Sequence, residues 1–124
     1  MNPLYTAVVI TQAVLLCSCA TQQVSYRDDV VPILNNNCIE CHMPPDGIGY
    51  RATGLSMASY DSLIHGTDYG PVIVAGDSRR SILNKLVEGR AGIQQRMPHN
   101  DKQGLSTAQI EMLKNWVNQG ALDN

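Results

Sequence analysis

The segment Cys38-Ile39-Glu40-Cys41-His42 has the form C-x-x-C-H. Two thiols three positions apart can each form a thioether with one vinyl group of a haem, and the imidazole that follows can then bind the iron. The motif therefore predicts one covalently attached haem c. Cys38 and Cys41 are the predicted thioether donors, and His42 is the predicted proximal ligand.

A zinc site, a redox dithiol and a structural disulfide are other uses of such a cysteine pair. A zinc site needs a second pair of Cys or His ligands, and His65 and His99 are isolated in the sequence. A thioredoxin-like dithiol follows a strand in a βαβ unit, whereas the residues before Cys38 have a helical pattern. Haem attachment is therefore the favoured prediction.

The sixth ligand of the iron is predicted to be Met97. A thioether on the face opposite a histidine is the cytochrome c arrangement. Met97 lies in a helix-poor segment, 92–98, between two predicted helices and is followed by Pro98, which stiffens the chain. The other methionines lie in the leader, next to His42, before an apolar stretch or inside a helical pattern: Met1, Met43, Met57 and Met112. The alternatives are His99, His65 or an open sixth position.

The final helix is the best defined by sequence. Ser106-Thr107-Ala108-Gln109 is a capping box that predicts its start, and Gly120 predicts its end. Its apolar residues share one face, which we expect to pack on the core and on the helix before the C-x-x-C-H motif. These residues are Ile110, Leu113, Trp116 and Val117.

Weaker patterns predict the remaining elements. Two helices are expected over Ser78–Glu88, capped by Asp77 or Ser78, and over Met57–Ile64. The apolar stripe of residues 30–34 predicts another helix, which Pro32 either kinks or begins. Residues 44–54 are rich in Gly and Pro and are expected to form a loop, whereas residues 71–74 are expected to be extended.

The first 18 residues resemble an export signal. They carry no charged side chain, and their apolar run is about a dozen residues, which is short of the roughly 20 needed to span a bilayer. Leu16-Cys17-Ser18-Cys19 resembles a bacterial lipoprotein signal, which predicts a lipid on Cys19. Simple secretion and an uncleaved anchor are the alternatives. We therefore expect a leader over 1–18, a short tether over 19–25 and one domain over 26–124, located in the periplasm or outside the cell and anchored to a membrane through Cys19.

Composition limits the possible partners. The 124 residues carry a net charge of −2 and include no Phe and one Trp, so a large buried cofactor would help so small a core to cohere. No basic surface interleaved with aromatic residues is present, so we expect no nucleic-acid binding. The charges are unevenly distributed: residues 27–77 carry two basic and seven acidic side chains, and residues 79–102 carry six basic and two acidic ones.

These segments together resemble class I c-type cytochromes, and most closely the single-haem domain named after planctomycete proteins. The resemblance runs from about residue 26 to 122 and is carried by Val31-Pro32-Ile33-Leu34, the C-x-x-C-H motif, Gly54-Leu55, residues 72–77, Ser81-Ile82-Leu83, Met97-Pro98 and residues 105–121. It implies an all-α fold around one haem, bound by Cys38, Cys41, His42 and Met97.

The function that this resemblance implies is transfer of single electrons to and from redox partner proteins. With both axial positions of the iron filled, electrons pass through the haem edge and no position is open for catalysis. The protein would act as a membrane-tethered carrier or as a subunit of a respiratory or photosynthetic complex. A haem enzyme or gas sensor with an open distal site, and a structural subunit, are the alternatives.

Overall fold

A computed structural model describes residues 22–99 and 103–124. Within these ranges the chain is helical and contains no strand, which confirms the all-α prediction. The predicted leader and Cys19 lie outside the described residues. The α-helices are α1 (Val31–Asn37), α2 (Ile39–His42), α3 (Ile48–Thr53), α4 (Tyr60–His65), α5 (Ile82–Val87) and α6 (Thr107–Asn118). No helix in the described ranges is long and apolar enough to cross a membrane.

Pro32 begins a helix rather than kinking one. A π-helical turn, Tyr26–Val30, leads directly into α1, and Pro32 lies in the first turn of α1. Backbone N–H groups in a first turn have no partner within the helix, so the missing N–H of proline costs nothing there. The buried side chains Val30, Ile33 and Leu34 form the predicted apolar stripe of this segment.

Helix α6 has the predicted start and the predicted buried face. Ser106 and Gln109 form the reciprocal capping box, and Leu113, Trp116 and Val117 have no exposed surface. The Trp116 ring lies 5.4 Å from the ring of Tyr26, measured between centroids, and its Nε1 donates to the Leu122 carbonyl at 3.0 Å. Trp116 is therefore a core residue, and α6 packs on the segment that leads to the C-x-x-C-H motif.

The two ends of the described domain are joined by hydrogen bonds. Asn124 donates from Nδ2 to the Val24 carbonyl at 3.1 Å and accepts from the Tyr26 N–H at 2.7 Å. The Val24 N–H donates to Oε1 of Gln119 at 2.7 Å, and the Val24 side chain is buried. The second half of the predicted 19–25 tether is thus docked on the domain, because an apolar residue and several backbone groups in it find partners near the carboxyl terminus.

Helices α4 and α5 are shorter than predicted. Helix α5 begins at Ile82 rather than at Ser78 because other groups engage the backbone before it: Asp77 Oδ1 accepts from the Arg80 N–H at 3.1 Å, and Arg90 donates to the carbonyls of Ser78 and Arg79, each at 3.1 Å. The prediction of Asp77 or Ser78 as the cap was therefore wrong. Helix α4 begins at Tyr60, after a capping box formed by Ser59 and Ser62.

Candidate functional site

The C-x-x-C-H motif forms one helical turn that directly follows α1. The Cys38 N–H donates to the Leu34 carbonyl at 2.8 Å, and the His42 N–H donates to the Cys38 carbonyl at 3.0 Å. Residues three apart on a helix lie on the same side, so Cys38 and Cys41 share one face. Both are free, half-buried thiols. The motif therefore presents two unbonded sulfur atoms on the same side of one rigid turn.

Cys38 does not have the character of a reactive thiol. Burial raises the pKa of the Cys38 thiol to about 11, and the neighbouring Cys41 adds to this rise. Cys38 is consequently protonated at neutral pH, whereas the reactive cysteine of a dithiol oxidoreductase has a lowered pKa. The described residues also contain no group of three or more His, Cys, Asp or Glu side chains that could hold a metal ion.

His42 is buried and held by the segment that follows the motif. Its Nδ1 lies 3.3 Å from the Leu55 carbonyl oxygen, and its own carbonyl accepts from the Met57 N–H at 2.9 Å. A contact with a carbonyl requires a proton on Nδ1, which leaves the lone pair of Nε2 available. Burial lowers the pKa of His42, and the bond to Leu55 partly opposes this fall. The imidazole is therefore favoured in its neutral form, which is the form that binds metals.

Two glycines let helix α3 lie against the motif. A Cβ on Gly47 would come within 2.5 Å of the Cys41 carbonyl oxygen, and a Cβ on Gly49 would come within 2.6 Å of Cε1 and 2.9 Å of Nε2 of His42. The absence of a side chain at Gly49 thus leaves space beside Nε2, the ring nitrogen that does not contact Leu55. The prediction that residues 44–54 form a loop was wrong, since α3 occupies Ile48–Thr53.

Met97 lies two residues after a short 3-10 helix, Ile93–Gln95, in the segment predicted to be poor in helix, and this segment is anchored to α5. We call residues 92–99 the Met97 loop. The Met97 N–H donates to the Leu86 carbonyl at 3.2 Å, and the half-buried Met97 side chain packs against the hydrophobic core. The side chain of Arg96 lies close to Gly89 and Gly104, where added Cβ atoms would be 3.3 and 2.9 Å from it. These contacts hold the loop at Met97 and at the residue before it.

The Met97 loop and His42 interact electrostatically, whereas His65 has no described connection with the site. His99 is exposed, and its charge lowers the pKa of His42 further. The role of Met97 as the distal ligand stays a prediction. His65 is an exposed residue at the end of α4. Among the other methionines, Met43 is exposed, Met57 is buried in the core and Met112 is half-buried on α6.

The residues around the motif fit a covalently attached haem. The donor set consists of two free thiols, an imidazole with an available Nε2 and a thioether on an anchored loop, which are the ligands of a c-type haem with His and Met coordination. Apolar side chains are exposed on α3, the next helix after the motif, and in the Met97 loop: Ile48 is 68% and Ile93 is 71% exposed. A flat apolar macrocycle held by these ligands would provide contacts for such side chains.

Gly49, beside His42, and Asn84, in the helix that anchors the Met97 loop, are two residues that the sequence did not single out. The side chain of Asn84 is fully buried in α5, and neither of its polar atoms has a hydrogen-bond partner among the described residues. A glycine two residues after another glycine, and an asparagine in an apolar helical pattern, carry no distinctive signal in one sequence. Both become informative only when their surroundings are known.

Comparison with protein families agrees with this geometry. The family model described as Planctomycete cytochrome C matches residues 38–101, more than half of the chain. This range begins at Cys38, contains α3, α4 and α5, and includes Met97. No curated protein and no solved structure matches. The match confirms the predicted resemblance to the planctomycete cytochrome domain and supports a haem-based role in electron transfer. The chain belongs to the planctomycete cytochrome c family.

Proposed function

We propose that the protein is a monohaem c-type cytochrome that carries single electrons outside the cytoplasm. Cys38 and Cys41 would hold the haem through thioethers, and His42 and Met97 would bind its iron. The haem supplies a centre that gains and loses one electron without making or breaking covalent bonds. The observation that carries the proposal is the His42 contact with Leu55, because it orients a buried neutral imidazole within an otherwise complete attachment motif.

The protein's own residues position the ligands. The Leu55 carbonyl holds the proton on Nδ1 of His42, and Gly49 leaves Nε2 accessible. The Met97 loop is fixed through its backbone bond to Leu86. Ligands that are already in place need little rearrangement when the charge of the iron changes, which favours rapid electron transfer.

The predicted lipid on Cys19 would hold the domain close to a membrane. The described, docked chain starts at Gln22, whose carbonyl accepts from Gln119 at 3.1 Å. Three residue steps separate Cys19 from Gln22, and an extended chain spans at most about 3.6 Å per step, or about 11 Å in all. A lipidated protein would therefore remain beside the bilayer with restricted reach, which suits a partner located in or at the same membrane.

We propose that the basic segment, residues 79–102, contacts an acidic redox partner. Arg90 binds Glu88 and the carbonyls of Ser78 and Arg79, so it helps to maintain the fold. Arg79 and Arg80 have exposed side chains and adjoin the helix that anchors the Met97 loop. Exposed cations of this kind accelerate association with acidic surfaces at low salt.

A spectroscopic redox titration with a carbon monoxide control tests the proposed function. We expect the haem-loaded protein to undergo one reversible one-electron transition and to bind no carbon monoxide when reduced at neutral pH, because Met97 fills the sixth position. Stoichiometric carbon monoxide binding would instead indicate a haem enzyme or sensor. A haem that exchanges electrons slowly with every small redox mediator would indicate a structural role.

A further inference from the structure

A partly open cleft, which we call the tyrosine cleft, lies between α1 and the segment that leads into α4. Its volume is about 190 Å³, and its lining includes Tyr26, Val31 and Leu34 from one side and Met57 and Tyr60 from the other. Pockets for drug-sized ligands begin at about 300 Å³, so this cleft is of a size for one side chain or a small ion. The Met97 loop contributes no residue to its lining, and the cleft is therefore separate from the predicted distal ligand.

Tyr26 brings an unpaired hydroxyl to the tyrosine cleft. The residue is 7% exposed, and its hydroxyl forms no hydrogen bond with any residue in the ranges 22–99 and 103–124. Tyr60 differs in this respect: its ring centroid lies 5.1 Å from that of Tyr26, and its hydroxyl donates to the Ala121 carbonyl at 2.8 Å. Since nearly all polar groups of buried residues have a partner, the Tyr26 hydroxyl indicates a ligand that the described chain does not supply.

The charges near the two phenol groups favour a cation as this ligand. Burial raises the pKa of Tyr26, and the charges of Asp123 and Tyr60 add to this rise. The pKa of Tyr60 is raised by burial and by the carboxylates of Asp123 and Asp61. These two carboxylates form no ion pair with any described residue, and Arg27, beside Tyr26 in sequence, is exposed and does not line the cleft. A hydroxyl oxygen in such a negative potential is a good acceptor for a positively charged N–H donor.

We propose that the tyrosine cleft binds one arginine or lysine side chain of a basic partner protein, whose cationic group donates a hydrogen bond to the Tyr26 hydroxyl. Apart from Tyr26, the lining residues belong to the acidic part of the chain, residues 27–77, which carries two basic and seven acidic side chains. This part complements a basic surface around the inserted side chain.

The basic partner differs from the acidic one proposed for residues 79–102. A carrier receives an electron from one protein and passes it to another, so two surfaces of opposite charge allow two different partners to bind. The inference goes beyond the proposed function, and it does not depend on Met97 as an iron ligand.

A titration of the haem-loaded, reduced protein, followed by NMR, tests the cleft directly. The probe is N-acetylarginine amide, and N-acetylcitrulline amide is the matched control because citrulline has the shape of arginine without its charge. We expect the ring signals of Tyr26 and Tyr60 to shift. The arginine compound should bind about tenfold more tightly than the citrulline compound, the factor expected for a hydrogen bond to a charged group.

The variant Tyr26→Phe removes the hydroxyl and leaves the ring in place. It should weaken binding of N-acetylarginine amide about fivefold, the factor for one net hydrogen bond. The thermal midpoint should not change, because the hydroxyl has no hydrogen-bond partner among the described residues. Tyr69→Phe is the matched control, since Tyr69 is 88% exposed and lies outside the cleft, and it should change neither quantity.

A second pair of variants tests the contribution of charge. Asp123→Asn should weaken binding of N-acetylarginine amide at low salt, and the difference from the wild type should diminish as ionic strength rises. Asp68→Asn is the control, because it removes another exposed carboxylate, one that does not act on either tyrosine of the cleft.

The outcomes separate this inference from the proposed function. Equal binding of the two compounds, or unchanged binding in Tyr26→Phe, would show that the cleft holds only solvent and would overturn the inference. A lower thermal midpoint in Tyr26→Phe that accounts for the weaker binding would assign the hydroxyl a structural role and would likewise overturn it. A wild-type protein without the far-red sulfur-to-iron band would contradict Met97 ligation and leave the cation site unaffected.

Discussion

The Nδ1 atom of His42 lies 3.3 Å from the carbonyl oxygen of Leu55. This contact joins the end of the C-x-x-C-H turn to a segment thirteen residues later, and the Met57 N–H adds a bond of 2.9 Å to the His42 carbonyl. The side chain and the backbone of His42 are thus both held by the short segment 55–57. The arrangement selects the tautomer with Nε2 free, so the protein itself orients the predicted proximal ligand.

Replacement of Met97 tests the distal ligand. Met97→Ala should retain the covalent haem, lower the reduction potential and abolish the far-red sulfur-to-iron band of the oxidised protein, since thioether ligation favours the ferrous state. Potentiometry and absorption spectra measure both effects. Met112→Leu is the matched control, because Met112 is half-buried on α6 and is not a predicted ligand. A wild-type protein without the band would favour His99 instead.

The variant Gly49→Ala tests whether His42 needs the space beside Gly49, because helix propensity alone would favour the alanine. Alanine in place of a glycine inside α3 should stabilise the helix by about 0.5–1 kcal/mol on propensity alone. The added Cβ, however, would lie 2.6 Å from Cε1 and 2.9 Å from Nε2 of His42. We therefore expect a lower thermal midpoint and a reduced yield of haem-loaded protein.

The control for this change is Ala52→Gly, at an exposed position of the same helix. It should cost about 0.5–1 kcal/mol of unfolding free energy and leave the haem yield unchanged. A Gly49→Ala protein that is more stable than the wild type and fully loaded would show that the His42 ring does not need this space.

The sequence predicted those parts of the site that depend on local chemistry. Spacing and periodicity within one segment were enough to predict the C-x-x-C-H motif, the capping box of α6 and the core position of Trp116. The predicted start of α5 was wrong because Arg90, which lies beyond the end of this helix, donates hydrogen bonds to the carbonyls of Ser78 and Arg79. Helix α3 was not predicted because the glycines of this segment suggested a loop, whereas they allow the helix to lie close to the motif. Such contacts between distant segments leave no local pattern.

Charge reversal at exposed arginines tests the proposed acidic partner. Arg79→Glu combined with Arg80→Glu should slow electron transfer to the physiological partner, and the difference from the wild type should diminish as ionic strength rises. The haem spectrum should not change. Arg90→Glu is expected to behave differently, since it loses the bonds to the Ser78 and Arg79 carbonyls and should lower the thermal midpoint. Rates that are insensitive to salt and to both exposed arginines would contradict steering.

Lipidation of Cys19 is tested by fractionation and intact mass. Several acyl chains anchor a protein firmly, whereas one anchors it only marginally, so a triacylated protein should remain with membranes through a salt wash. Cys19→Ser should release it into the soluble fraction or leave the leader uncleaved. Cys17→Ser is the matched control and should retain the lipid. A mature protein that starts at Thr21 and carries no lipid would contradict this prediction.

Covalent attachment of the haem through Cys38 and Cys41 is tested most directly by the mass of the denatured protein. The protein is produced with the haem-attachment machinery and unfolded in acid, which removes a haem held only by axial ligands. We expect the wild-type mass to exceed that of the polypeptide by one haem, and the Cys38→Ala, Cys41→Ala double variant to have the polypeptide mass alone. A wild-type protein that loses its haem on denaturation, or that forms a Cys38–Cys41 disulfide without haem, would contradict the account.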